Sequence, residues 1–209
     1  LGKINQKNGE ELMMRWDIIF KNQAKLDAHI EEKHPRQEGE NRLLKKIIAL
    51  QVELAEMAQE WRGFKFWSED QEPNIKKREI CHICNGQGRS VKEMACPACD
   101  NAWGGVKTSY PLLEEYIDVV HFTASLGLEL NLDELVMEEQ RERTVLEYIQ
   151  DINFATSLSG YGENHFKMYP TIIGLVTGLG KELGFTDNQI MDCYMKKNEE
   201  NHRRQKVGY

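Results

Sequence analysis

Apolar residues recur at three- and four-residue intervals along most of the chain. Leu12, Trp16, Ile19, Phe20, Leu26 and Ile30 mark a helix over about 11–31. The same period predicts helices over about 40–62, 110–130, 132–155, 167–184 and 186–206. Thr186 and Asp187 ahead of Ile190 read as the start of the last one. Pro111, the Gly160-Tyr161-Gly162 run and Gly184 act as punctuation. Two-residue alternation is absent outside a short segment that holds four of the cysteines, and no internal repeat is apparent. The pattern predicts an all-α bundle built from 1–78 and 107–209, interrupted by a small insertion at 79–106.

Two of these helices place acids among apolar residues. Over 47–58 the only charges are Glu53 and Glu56, and apolar residues occupy nearly every face, so this helix is expected to be largely buried. The two glutamates are three apart and share a face, a stripe that Glu60 extends. Over 112–122 the same spacing recurs in Glu115 and Asp118. A buried carboxylate costs several kcal/mol unless a countercharge is near, and neither helix supplies one at the right spacing. A lone Glu-x-x-Glu is more often a solvated helix face. Two such pairs on two apolar helices point instead to four carboxylates around one cavity. Hard oxygen ligands in that number suit Mg²⁺ or Mn²⁺, and four negative charges call for more than one ion. Such a site commonly holds a phosphate chain and activates a water against phosphorus.

The tail supplies the opposite sign. Lys197, Asn201 and Arg204 follow i, i+4, i+7, one helical face suited to the outer phosphates of a nucleotide. A solvated helical tail is the plainer reading of that composition.

Cys81-x-x-Cys84, eleven residues, then Cys96-x-x-Cys99 has the spacing of a tetrahedral thiolate zinc site. Asn85-Gly86-Gln87-Gly88 and the run from 100 to 105 permit tight turns beside the sulfurs. Two disulfides would need an oxidising compartment, and nothing suggests export. Four protein ligands leave no open position, so the zinc is expected to be structural. Cys193 falls in a helical pattern and reads as a buried thiol.

Composition narrows the classes. With 209 residues, 40% apolar, the chain can bury a core, and no run approaches the ~18 apolar residues of a membrane helix. Twenty-seven basic against 34 acidic residues give a net charge of −7, which weighs against phosphate-backbone binding. Lys76-Lys77-Arg78 and Arg203-Arg204 are the features that a non-enzymatic binding module would use. No partner in nucleic acid or membrane is expected, and a cytoplasmic location is.

Taken together, Glu53-x-x-Glu56, the run Glu60-Trp61-Arg62-Gly63-Phe64-Lys65-Phe66-Trp67-Ser68, Glu115-x-x-Asp118-x-x-His121-Phe122 and the Lys197-Asn198-x-x-Asn201-x-x-Arg204 tail resemble the dimeric, all-α dUTPases. These belong with the MazG-like NTP pyrophosphohydrolases. The resemblance covers nearly everything but the cysteine insertion. It implies Mg²⁺-dependent hydrolysis of dUTP to dUMP and pyrophosphate in a homodimer, with dUDP as a further candidate substrate. It implies two or more Mg²⁺ ions on Glu53, Glu56, Glu115 and Asp118, with Glu53 also orienting the attacking water. It gives Lys197, Asn201 and Arg204 to the phosphates, Gln23 to the base and Asp27 to the sugar. Phe122 would pack on the pyrimidine, and Lys65 and Trp67 would sit in a closing loop. A related enzyme acting on dCTP, or on several dNTPs, fits the same motifs. The acid pairs lie 59 positions apart, Glu56 to Glu115, longer than in compact relatives. Removing the cysteine insertion restores a short connection.

Overall fold

The computed structural model describes residues 14–89, 95–96, 99, 105–132, 141–162 and 164–208. Six helices are described: α1 (Trp16–Lys33), α2 (Arg42–Trp61), α3 (Pro111–Leu130), α4 (Val145–Ser159), α5 (His165–Glu182) and α6 (Asp187–Val207). A two-stranded hairpin, β1 (Lys77–Ile80) and β2 (Val106–Ser109), lies between α2 and α3. The all-α architecture follows from the apolar periodicity.

Local signals set most helix starts. Asn41 Oδ1 accepts from Leu44 N (2.9 Å), and Pro111 opens α3, where its missing N–H leaves nothing unsatisfied. Thr186 begins α6 through a reciprocal capping box with Gln189, at the position read from the sequence. The fourth helix starts later than its periodicity suggests. Residues 141–144 are not helical, because Thr144 and Glu147 form a capping box that starts α4 at Val145. Positions 133–140 of that expected helix, Leu12 of the first, and 100–104 of the second turn lie outside the described residues.

α2 packs on α3, α4 on α5, and α1 on both α3 and α6. Tyr116, Tyr169 and Tyr194 are fully buried, and each hydroxyl donates to a backbone carbonyl of another helix: Val176, Thr123 and Ile19. The α3–α5 approach depends on Gly127, where a Cβ would lie 2.0 Å from the Tyr169 hydroxyl. One expectation fails. α2 buries Ile47, Leu50, Leu54 and Met57 but leaves Leu44, Ile48 and Val52 about half exposed. Its neighbours α3 and α4 cover one side only, so a helix apolar all round keeps an open face.

Candidate active site

α2 and α3 bring Glu53, Glu115 and Asp118 together. One carboxylate oxygen from each lies within 4.8 Å of the others. All three side chains are partly buried, at the end of the bundle where α6 crosses α3. Glu56 is exposed and stands outside this cluster, at the rim. Its charge still reaches the cluster: together with burial, which dominates, it raises the pKa values of Glu53, Glu115 and Asp118. Glu53 is pushed up to about 7, first by burial and then by the charges of Asp118, Glu56 and Glu115. Three clustered acids that resist ionisation are the electrostatic signature of a site built for cations.

The countercharge missing from α2 and α3 comes from α6. Lys197 Nζ pairs with the Asp118 carboxylate and donates to the Glu114 carbonyl (3.2 Å). Arg204 lies close enough to Asp118 to lower its pKa, and also pairs with Glu200 (3.3 Å). Asn201 lies half-buried on the same helix, between them in sequence. Three of the four residues predicted for metal therefore lie beside Lys197 and within reach of the charge of Arg204.

Gln23 and Asp27 lie one turn apart on α1 and face α3. Asp27 can only accept, so Gln23 directs its amide nitrogen there (2.7 Å) and its oxygen to His121 Nδ1 (2.7 Å) and the Tyr194 hydroxyl (3.3 Å). Asp27 is also held by Ser125 Oγ (2.6 Å) and Lys46 Nζ (3.1 Å). Both predicted readers of base and sugar are thus engaged by the protein itself, and Gln23 is only 3% exposed. Phe122 packs half-buried against the core. Lys65 and Trp67 sit in the segment after α2, whose ends Arg62 and Asp70 tie together (2.7 Å). Phe66 and Trp67 project from it, 86% and 66% exposed.

Sequence reading gave no role to three residues here: His121, Tyr194 and Asn198. His121 stacks on Tyr194 (4.3 Å between ring centres), and burial, with Lys197 nearby, drives its pKa down to about 3. Asn198 is buried beside the Tyr194 hydroxyl, whose pKa it lowers. The signal was present: Tyr194, Asn198 and Asn201 run i, i+4, i+7 beside Lys197.

The cysteines converge as their spacing predicts. All five are free, and the sulfurs of Cys81, Cys84, Cys96 and Cys99 lie within 4.8 Å of one another. Cys81–Cys96 is 3.9 Å and Cys84–Cys99 is 3.5 Å. A zinc ion with sulfurs at about 2.3 Å has a tetrahedral edge of about 3.8 Å, so the four could hold zinc. The amide of Gly88 donates to Cys84 Sγ (3.3 Å), and positive φ at Gly86 and Gly88 makes the turn around the sulfurs. Cys193 is half-buried against the helical core, its thiol pushed up to about 11 by burial.

A family described as dUTPase matches residues 15–81 and 104–209. The chain belongs to the dUTPase family. Membership makes it a dUTP diphosphatase, an enzyme with a nucleotide substrate. No curated protein matches the chain. Among the described residues, no helix is long and apolar enough to cross a membrane.

Proposed function

We propose that the enzyme hydrolyses dUTP to dUMP and pyrophosphate with two or more Mg²⁺ ions, bound by Glu53, Glu56, Glu115 and Asp118. The observation that carries this reading is the convergence of three of those carboxylates beside Lys197 and Arg204. Oxygen-only ligands with raised pKa values fit a hard divalent cation better than zinc. Bound Mg²⁺ would supply charge neutralisation and Lewis acidity at the phosphates.

Glu53, whose pKa is raised to about 7, would orient water and take its proton on a carboxylate oxygen. The oxygen of that water bonds to the α-phosphorus, and the bond to the bridging β-phosphate oxygen breaks. Lys197 and Arg204 would stabilise the charge left on pyrophosphate. Asn201 contributes an amide to the phosphates. Gln23 and Asp27 would serve base and sugar, Gln23 at least partly by holding His121. Phe122, Lys65 and Trp67 would enclose the base.

Zinc on the four cysteines serves the 79–106 insertion as a structural ion, and the bundle of 1–78 and 107–209 carries the chemistry. The family match, which skips 82–103, supports that division. Free clustered thiols suit a reducing compartment and support a cytoplasmic location. A homodimer would cover the open face of α2. Leu44, Ile48 and Val52 form one i, i+4, i+8 ridge, and Glu56 is its next member, so a second copy seated there would border the acid site.

The test is pyrophosphate release from each dNTP and from buffer controls, with metal content measured in parallel. The expected result is turnover of dUTP with Mg²⁺, loss in EDTA, recovery with Mg²⁺ alone, and about one retained zinc per chain. Preference for dCTP, or recovery by zinc alone, overturns the assignment.

A further inference from the structure

Asn74 stands where three parts of the molecule meet: the end of α2, the start of α3 and the root of the cysteine hairpin. Its backbone N–H donates to the Glu60 carbonyl (2.9 Å), and its side-chain Nδ2 donates to Glu60 Oε2 (2.7 Å). Its own carbonyl accepts from Leu112 N (3.2 Å). The Glu60 carbonyl is among the last four of α2, and the Leu112 amide among the first four of α3. Neither group has a partner within its own helix, so one loop residue satisfies an orphan at both.

The positions of those two anchors matter. Glu60 is one turn beyond Glu56, and Leu112 is one turn before Glu115. The clasp therefore joins α2 and α3 at the end that carries the acids. It also closes the segment 62–73, which holds Lys65 and Trp67, because that segment begins after Glu60 and ends at Asn74. β1 starts three residues later, at Lys77. Arg62 and Asp70 tie the segment to itself, and among the described residues Asn74 ties it to both helices.

We propose that Asn74 is a positioning residue for dUTP hydrolysis. By gripping Glu60 through side chain and backbone, and Leu112 through its carbonyl, it fixes the spacing of the two acid-bearing helices and the seat of the substrate segment. This inference rests on the carboxylate site described under Proposed function. Asn74 touches no reacting atom. Glu60 is its anchor, and only the acceptor oxygen of Glu60 is needed.

The test uses the full-length zinc-containing chain. Asn74→Leu removes the side-chain donor without adding charge, and Asn74→Asp sets a second carboxylate against Glu60. A hydrogen bond to a charged group at an exposed position is worth about tenfold, so each variant should raise KM for dUTP and the Mg²⁺ level for half-maximal rate about tenfold. Maximal kcat should move less than about threefold, with helix content unchanged. Glu60→Gln alone keeps an acceptor and should stay within about threefold of wild type. Added to Asn74→Asp, it reverses the donor–acceptor pair and should restore KM; added to Asn74→Leu, it should not. Mn²⁺ binding followed by electron paramagnetic resonance gives a readout without turnover and should weaken in Asn74→Leu. Wild-type KM and Mn²⁺ affinity in Asn74→Leu overturn the proposal, as does failure of Glu60→Gln to rescue Asn74→Asp. A wild-type chain that binds Mn²⁺ but leaves dUTP intact overturns the proposed function instead.

Discussion

Glu53→Gln should make the protein more stable while abolishing turnover. Glu53, Glu115 and Asp118 place carboxylate oxygens within 4.8 Å of one another. Two like charges at that distance repel by about 3.5 kcal/mol at an effective dielectric of about 20. Lys197 offsets much of the repulsion at Asp118, and Glu53 and Glu115 are only half-buried, so solvent screens the remainder. A discounted penalty of about 1–2 kcal/mol is reasonable for ionised Glu53. The sign follows from its raised pKa. Folded Glu53 titrates near 7 and the unfolded side chain near the ordinary glutamate value of 4.5. Between those values the folded state holds more protons, so stability falls as pH rises through the window, and the full penalty stands above about 7. Removing the charge should raise Tm in EDTA at pH 8 by about 3–6 °C for a domain of this size. The gain should vanish at pH 4.5, where wild-type Glu53 is already neutral. Mg²⁺ should then stabilise wild type more than the variant. Thermal melts followed by circular dichroism, with and without EDTA, measure all of this. A variant that melts at or below wild type at pH 8 in EDTA refutes the electrostatic argument.

Two further outcomes follow from other parts of the molecule. His121 is buried and its pKa is depressed to about 3, so it must stay neutral in the folded state; the stability this gives is present above about 6.5 and falls by about 1.4 kcal/mol per pH unit below it. His121→Asn should remove about one proton from that acid slope, measured by urea unfolding at pH 7 and 5.5, and an unchanged slope would show that His121 is not the group being charged. On the open ridge of α2, Ile48→Glu should yield a monomer by sedimentation velocity with helix content intact, whereas a wild-type chain that already sediments as a monomer removes the dimer from the account.

What the sequence determined by itself was everything with a short-range physical cause. The apolar period of 3.6 gave the all-α class, Thr186 placed the start of α6, and two Cys-x-x-Cys pairs announced a thiolate cluster, because each depends on neighbours a few residues away. The three-residue spacing within each acid pair likewise put its two members on one helix face. Only the tertiary structure decided how those faces meet. It drew Glu53, Glu115 and Asp118 into one cluster and left Glu56 at the rim, because the crossing of α2 and α3 selects which carboxylates converge. It supplied Lys197 from 79 residues away as the countercharge absent from both acid helices. It also showed Gln23 and Asp27 held by His121, Tyr194, Ser125 and Lys46, partners on three other helices that no local pattern indicates. α2 is the clearest case: its composition reads as buried on all sides, yet burial depends on how many neighbours surround a helix, and one chain covers only one side.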